Sequence, residues 1–437
     1  MGIDEKKDGK QLSQKGTGKK IKYGIIVFIV LLLIGGFVVT MRREPLDEPP
    51  IDNPDYRIVI RTNEFAEVFH PDMEISAVGG MTLHYGEESQ EVAAGEIEKF
   101  TPDDPRFEDG EDKIRITAND GGEITLHSIQ RAYGTPSYAG TIELRRTEEG
   151  LVVINELPLE KYLCKVVPSE MPFYYELEAL KAQAVCARNF AYKQIMDPGY
   201  PEYEAILDDS NARYQVYGNC QEDAFVNQAI EETKNQVMRY KGRLVTTLYF
   251  STSCGYTTGL EAWGTEEDEA SRYLKSVEVK GDDGDYEAEI PWYRWEIRIP
   301  VETLSSQVSL NTETDIGTIQ DIEITKTGDG GIALEDRITG DKDTVTVETE
   351  NKIRKALGGT GAEVVRQDGS VEPGTAMLPS AFFTIEKEGD AFAVSGGGFG
   401  HGIGMSQNGA NEMAKKGKNC EEILSLFFYD VKVETEE

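Results

Sequence analysis

Short runs of alternating apolar and polar residues begin at Tyr56. Arg57-Ile-Val-Ile-Arg61, Lys113-Ile-Arg-Ile-Thr117, Glu123-Ile-Thr-Leu-His127 and Thr141-Ile-Glu-Leu-Arg145 are separated by turns rich in Gly and Asp. A period of two bounded by such turns predicts strands, so residues 56–150 read as an N-terminal β module. Leu151-Val-Val-Ile154 opens a second unit. Glu160 to Val167 reads as a strand, followed by a turn bracketed by Pro168 and Pro172. The period then lengthens: Leu177, Leu180, Ala184, Ala187 and Ala191 recur at helical spacing, an apolar stripe made to pack inward.

Further along, Asp223 to Lys234 looks helical, and Leu244 to Phe250 looks like a buried strand. Trp292 to Ile299 is another strand. Asp321–Ile324 and Thr344–Val347 are strands among Gly-rich turns, with one short helix near Lys352–Leu357. Ser406 is placed to cap a helix that stops before Gly417. Asn419 and Glu422 have the spacing of a capping box for a last helix ending near Phe428. There is no internal repeat. The class is mixed α+β, with a core at 151–310. Residues 311–437 hold a β insertion and a Gly-rich motif with helices.

A different pattern precedes all of this. Residues 23–41 are uncharged and mostly Ile, Val, Leu, Phe and Gly, close to the roughly 20 apolar residues that span a bilayer core. Lys6, Lys7, Lys10, Lys15, Lys19, Lys20 and Lys22 lie ahead of it. Such flanks stay in the cytoplasm. The expectation is a cytoplasmic tail (1–22), one transmembrane helix (23–41), a stiff acidic Pro-rich linker (42–55) and an extracytoplasmic remainder. A cleaved signal peptide is the alternative, but its apolar core runs only roughly 7–15 residues. Arg42 and Arg43 follow instead of a small-residue cleavage site.

Composition narrows the partners. Across 437 residues, 45 Lys+Arg stand against 79 Asp+Glu, a net charge of −34. That surface repels phosphate backbones, so nucleic acid is an unsuitable partner. The five cysteines and four histidines are scattered, with no Cys-x-x-Cys pair, so no zinc site of familiar spacing appears. No cofactor is expected.

Two segments look built for chemistry. Glu170 stands in the turn between Pro168 and Pro172. A glycosidic bond is cleaved by a carboxylic acid still protonated near neutral pH, a state that burial favours. Met171, Phe173, Tyr174 and Tyr175 are placed to supply that burial. A helix N-terminus just beyond would favour the anion, and Glu170 could equally cap that helix. Glycosidases with two carboxylates hold them about 5–5.5 Å or 6.5–9.5 Å apart. Asp208 and Asp209 are the candidates for a second group, although no spacing pairs them with Glu170. A single carboxylate would have to donate a proton to the leaving oxygen and then take one from a substrate hydroxyl.

The other segment, Gly396-Gly-Gly-Phe-Gly-His-Gly-Ile-Gly-Met-Ser-Gln-Asn-Gly-Ala410, lacks both nucleotide-binding spacings and the Gly-x-Ser-x-Gly of an acyl-transfer nucleophile. It is either a ligand-approaching backbone or a tight hairpin with His401 as a structural residue. Asp208 to Tyr217 mixes aromatics, amides and charge, which suits sugar faces or an ordinary loop. Ser251 to Tyr256 is a polar strand end whose Cys254 reads as a small buried hydrophobe.

Taken in order, these segments resemble the SpoIID/LytB family of bacterial cell-wall proteins from about Tyr56 to Val433. The resemblance rests on Leu157-Pro-Leu-Glu-Lys-Tyr-Leu163, Val166-Val-Pro-Ser-Glu-Met-Pro172, Glu178-Ala-Leu-Lys-Ala-Gln-Ala-Val185, Gln215-Val-Tyr217 and Gly398-Phe-Gly-His-Gly-Ile-Gly-Met-Ser-Gln407. Tyr273 to Val277 and Leu378 to Phe383 also fit. It implies a lytic transglycosylase that cuts the bond between N-acetylmuramic acid and N-acetylglucosamine in peptide-stripped peptidoglycan and leaves a 1,6-anhydro end. Glu170 falls on the family's catalytic glutamate. Arg188, Gln215, Tyr217, Ser251, His401, Ser406 and Gln407 are the expected groove or support residues. Arg188 is placed either to hold Glu170 or to form a plain salt bridge. In sporulating bacteria the family drives engulfment of the forespore from a membrane anchor. LytB-type members imply the alternative of a non-catalytic activator of a cell-wall amidase.

The chain departs from the family pattern at Cys164 and Cys186, where small residues are usual, and at Asn189, where Thr is usual. The two cysteines suggest a disulfide beneath Glu170, or else two independent buried residues. Some relatives carry a metal near the strand equivalent to Ser251–Tyr256; the absence of a histidine beside Cys254 argues against zinc here.

Overall fold

Cross-strand pairing organises the first part of the chain. In the computed structural model, which describes residues 55–131, 134–196, 198–210, 214–217 and 222–436, Tyr56–Ile60 pairs antiparallel with Leu151–Leu157. Leu151–Leu157 pairs in turn with Thr141–Arg146, which continues to Lys113–Ala118, Met81–Tyr85 and Glu88–Val92. Leu207–Asp208 adds a parallel edge beside Tyr56–Ile60. One face of this sheet buries Ile58, Ile114, Ile116, Ile142 and Val153. The other carries a charge lattice, with Arg57 and Arg115 bonded to Glu143 at 3.0 Å each and Arg115 to Glu156 at 2.6 Å. Expected strands therefore form where alternation put them, but the sheet is completed by segments beyond Gly150.

The segment Leu159–Glu170 is a helix, α1, and not the expected strand. Leu159, Tyr162, Leu163, Val166 and Val167 are all buried, and their spacing of three to four fits one helical face. Val166 and Val167, a β-branched pair before Pro168, are also compatible with an extended backbone. Pro168 is accommodated in the last turn. Helix α2, Leu177–Met196, follows. It carries the expected stripe but is buried on most sides, as suits a central helix with small alanines. It packs against α1, against α3 (Ala224–Glu232) and against the strand Gln236–Tyr240. Its buried Asn189 is satisfied: Nδ2 donates to the carbonyls of Met238 and Val245, and Oδ1 accepts from Met238 N at 2.7 Å.

The expected strand Leu244–Phe250 is interrupted. Only Arg243–Leu244 and Tyr249–Phe250 join ladders. Between them Thr247 Oγ1 donates to the Cys186 carbonyl, and Thr246 N donates to the Tyr273 hydroxyl. These bonds go to other elements, so no ladder continues through the middle.

The later half adds a five-stranded sheet centred on Trp295–Pro300 and a three-stranded sheet, Ile319–Thr327, Ala333–Gly340 and Thr344–Glu348. Helices α4 (Val301–Thr312) and α5 (Glu350–Ala356) pack beside them. Helix α6, Gln407–Lys415, is capped by Ser406, whose hydroxyl accepts from Gly409 N. Helix α7, Cys420–Phe427, has the capping box of Asn419 and Glu422. Both helical ends follow the sequence signals.

The described residues, between 55 and 436, belong to one compact unit. The expected tail and membrane helix, residues 1–41, and all but the last residue of the 42–55 linker lie outside the described residues. Among the described residues no helix is long and apolar enough to cross a membrane. Cys164 and Cys186 are buried free thiols, so the suggested bridge is not formed. Cys164 Sγ turns to its own helix, donating to the Glu160 carbonyl at 3.3 Å. Cys186 has Cys420 as its electrostatic neighbour instead.

Candidate active site

Glu170 is the last residue of α1. Met171 breaks the helix with extended dihedrals, and Pro172 follows. The carboxyl is thus at a helix C-terminus, where backbone carbonyls disfavour an anion, and it does not cap α2. Its Oε1 accepts from Val216 N at 2.8 Å. Burial is the largest influence and pushes its pKa up to about 7, against the opposing bonds from Val216 N and the Tyr249 hydroxyl. Desolvation therefore wins, and the group keeps its proton up to about pH 7.

The expected apolar neighbours are only partly responsible. Met171 is buried, but Phe173 and Tyr174 are 55% and 73% exposed. The turn is held instead by the start of α6. Gln407 Nε2 donates to the Glu170 carbonyl at 3.0 Å. Asn408 Oδ1 accepts from the Tyr175 hydroxyl at 2.6 Å, and Asn411 Oδ1 from Glu176 N at 2.9 Å. Residues more than 230 positions apart thereby fix one carboxyl.

Glu170 lines a cleft of about 590 Å³, shared with Gln215, Tyr249, Trp263, Glu350, Arg354 and His401. Gln215 spends its amide on orientation: Oε1 accepts from the Tyr162 hydroxyl, and Nε2 donates to the Tyr249 hydroxyl, both at 3.2 Å. The Tyr249 hydroxyl is then left to donate to Glu170. His401 is held by both ring nitrogens. Nδ1 accepts from Ile403 N at 3.1 Å, so the proton sits on Nε2, which donates to the Tyr249 carbonyl at 3.0 Å. Burial, with the Arg354 charge second, pushes its pKa down to about 4. A neutral imidazole with both nitrogens engaged is a brace, not a proton carrier. Its ring lies 5.6 Å from Phe250 and 5.4 Å from Trp263.

The glycines around His401 serve close backbone approach rather than a ligand. Gly400 and Gly404 have φ of +117° and +78°. A Cβ would meet Phe250 Cβ at 2.7 Å at the first and the Leu248 carbonyl oxygen at 2.2 Å at the second. The segment threads against 248–258 through the pairings Thr252–Phe399, Tyr249–Met405 and Thr258–Ile403, and only glycine allows that.

The facing wall comes from a different part of the chain. Trp263 Nε1 donates to Glu350 Oε1 at 3.0 Å, and Arg354 Nη1 donates to Glu350 Oε2 at 3.1 Å. Glu350 and Arg354 sit on α5. Thr349, just before that helix, has φ +74°, a strained conformation for a β-branched residue.

Other expected residues lie elsewhere. Arg188 does not reach Glu170; it binds Glu160 through Nε–Oε1 at 2.7 Å and Nη2–Oε2 at 2.8 Å, tying α2 to the start of α1. Tyr217 is buried under the site, donating to Asn155 Oδ1 at 2.6 Å. Ser251 contributes its carbonyl to Asn408 N. Ser406 caps α6 and donates to Glu287 Oε1 at 2.8 Å. Asp208 and Asp209 pair with Arg61 and Arg131 and do not line the cleft. A larger cleft of about 800 Å³, lined by Arg294, Trp295, Arg366 and Phe382 among others, contains none of the expected site residues.

Sequence reasoning missed Tyr249, Trp263, Glu350, Arg354 and Glu287. Tyr249 was hidden in an apolar strand pattern. Glu287 is fully buried; burial pushes its pKa up to about 7 although Ser253 and Ser406 bond to it. Nothing local distinguishes it from the acidic residues around it.

Residues 147–240 match a family model described as SpoIID, stage II sporulation protein. Residues 262–404 match one described as a domain of unknown function, DUF8618. The chain is 30% identical over 293 residues to stage II sporulation protein D of Bacillus subtilis (strain 168), covering 64% of this chain and 75% of that protein. It is 29% identical over 332 residues to the protein of the same name from Bacillus amyloliquefaciens, covering 71% and 85%. It is also 28% identical over 303 residues to the amidase enhancer of Bacillus subtilis (strain 168), covering 60% of this chain but 39% of that protein.

Proposed function

The chain belongs to the SpoIID/LytB family, and on that premise we propose that it is a membrane-anchored lytic transglycosylase of peptidoglycan. The observation that carries this reading is Glu170, a buried carboxyl in a cleft with its pKa near 7. An acid of that strength is matched to protonating a glycosidic oxygen at neutral pH.

The chemistry runs on one group. Protonated Glu170 gives its proton to the oxygen linking C1 of N-acetylmuramic acid to the next sugar. The C1–O bond breaks and the N-acetylglucosamine end leaves as an alcohol. The carboxylate so formed keeps its bonds from Val216 N and Tyr249. It then takes the proton of the 6-hydroxyl of the same muramic residue, whose oxygen closes on C1. The product is a 1,6-anhydro end, Glu170 is again protonated, and no water is consumed. Gln215 and His401 keep Tyr249 in place through both halves.

The test is incubation of the chain with glycan strands lacking stem peptides, followed by mass spectrometry of the ends. Anhydro ends that vanish in Glu170→Gln support the reading; anhydro ends that persist in that variant overturn the role of Glu170. The likeness to a protein named amidase enhancer favours one second reading, an activator of a cell-wall amidase. Intact glycan, with a co-incubated amidase running faster, would establish that instead. The anchor is residues 23–41, with the tail inside and residues 56–437 outside, and protease added to intact cells should remove the latter alone. A place in spore engulfment is part of this proposal and rests on analogy with the family alone.

A further inference from the structure

We propose that Arg354 forms an anion subsite in the Glu170 cleft that recognises the free lactyl carboxylate of peptide-stripped muramic acid. This rests on the glycan reading above.

Arg354 lines the same cleft as Glu170. Its side chain is 12% exposed, so the guanidinium is largely desolvated yet open to the cavity. Two anchors aim it: Nε donates to the Leu378 carbonyl at 2.9 Å and Nη1 to Glu350 Oε2 at 3.1 Å. Neither bond uses Nη2. Glu350 is itself held by Trp263 Nε1, and the Trp263 ring lies against His401, which bonds the Tyr249 carbonyl. A rigid wall thus connects the cation to the tyrosine that touches Glu170. The Arg354 charge reaches this wall strongly enough to help lower the His401 pKa. A guanidinium anchored on one edge and open on the other suits a carboxylate. The chain's net charge of −34 repels free anions at long range, so a carboxylate would be held only where a cation meets it directly.

The substrate carries a matching group only in one state. With a stem peptide attached, the lactyl carbonyl is a neutral amide. Hydrolysis of that amide releases the peptide amine and leaves a carboxylate on the sugar. Arg354 therefore provides a physical reason for acting after an amidase.

The experiment uses the full chain carrying Glu170→Gln, so that strands bind without being cut. Affinity is measured for stripped strands and for the same strands with the lactyl carboxyl reduced to the alcohol. A desolvated charge-assisted pair predicts a preference of about tenfold or more for the acid. Adding Arg354→Gln should erase the preference while binding of the alcohol strand stays. Arg354→Lys should keep the charge and retain part of it. Equal binding of acid and alcohol by the Glu170→Gln chain overturns the subsite without any Arg354 variant, and so does a preference that survives Arg354→Gln. If neither strand binds and the wild-type chain cuts neither, the glycan reading itself falls, and this inference with it.

Discussion

The two walls of the cleft are built on different principles. The Glu170 wall comes from α1, α2 and the segment around Gln215, and most of it falls in the part of the chain that matches the SpoIID family model. Its polar atoms are arranged as neutral hydrogen bonds, Tyr162 to Gln215 to Tyr249 to Glu170. Among the described residues the carboxyl at the end has no cation as a direct partner, so burial, opposed by the bonds from Val216 N and Tyr249, sets its proton affinity. The facing wall, Trp263, Glu350 and Arg354, falls in the part matching the domain of unknown function. There a carboxylate and a guanidinium hold each other. One wall keeps a proton and the other keeps a charge. Placing Arg354 beside Glu170 would lower its pKa and remove the acid, so the separation is what lets one cleft do both.

The largest effect should come from the proton-keeping wall. Glu170→Gln removes the acid and the base at once while preserving shape, and glycan cleavage should fall by about 10²–10⁴-fold. Thermal unfolding of the variant should show the fold intact. Retained cleavage would erase the distinction between the walls.

Tyr249→Phe tests how the proton is tuned. The proposed mechanism requires protonated Glu170, so activity should be full on the acid side and fall as pH rises through about 7. Tyr249 donates to Glu170 and favours its anion. Removing that hydroxyl raises the Glu170 pKa further, so the alkaline limb of the pH–rate profile should move up. The rate itself should drop by about tenfold, since one charge-assisted bond to the carboxylate is lost. A limb that stays or moves down would mean Tyr249 does not bond the carboxyl.

Glu350→Gln asks whether the charged wall supplies a second carboxylate to the chemistry. The structure binds Glu350 to Trp263 and Arg354, and the single-carboxylate route leaves it no step. The turnover number should fall less than about tenfold, with a stability loss of about 1–3 kcal/mol from the broken bonds. A loss as deep as that of Glu170→Gln would make this a two-carboxylate enzyme.

The difference between the walls also explains what the sequence made legible. Glu170, His401 and Gln407 sit in compact local patterns, two prolines around a glutamate and alternating glycines around a histidine. Local backbone demands leave such marks. The caps at Ser406 and Asn419 were legible for the same reason, since a cap is satisfied within three residues. The wall of Trp263, Glu350 and Arg354 depends on residues 87 positions apart meeting through tertiary packing, and an Arg four residues after a Glu on a helix reads as an ordinary surface pair. Reading α1 as a strand failed because Val166-Val167 before a proline mimics extension, whereas the burial of Leu159, Tyr162 and Leu163 on one face decided for helix. Asp208 and Asp209 looked available because their arginine partners lie 78 or more positions away.

The smallest expected effect concerns Glu287, a second buried carboxyl outside the cleft. It joins Ser253 to Ser406 and so supports the start of α6, which clamps the Glu170 turn. Burial raises its pKa from 4.5 to about 7, as it does for Glu170. A carboxyl whose folded pKa lies above its unfolded value binds its proton more tightly when folded. Its contribution to stability is full below about 4.5 and is lost as pH rises through about 7. Melting temperature should therefore decline across that window, and Glu287→Gln should flatten part of the decline because an amide does not titrate. The pH–rate limb of Glu287→Gln should remain where wild type has it, since that limb belongs to Glu170. If the limb moves and the melting curve does not, Glu287 is electrostatically coupled to the cleft. The proton-keeping wall would then extend beyond the tyrosine and glutamine that touch Glu170.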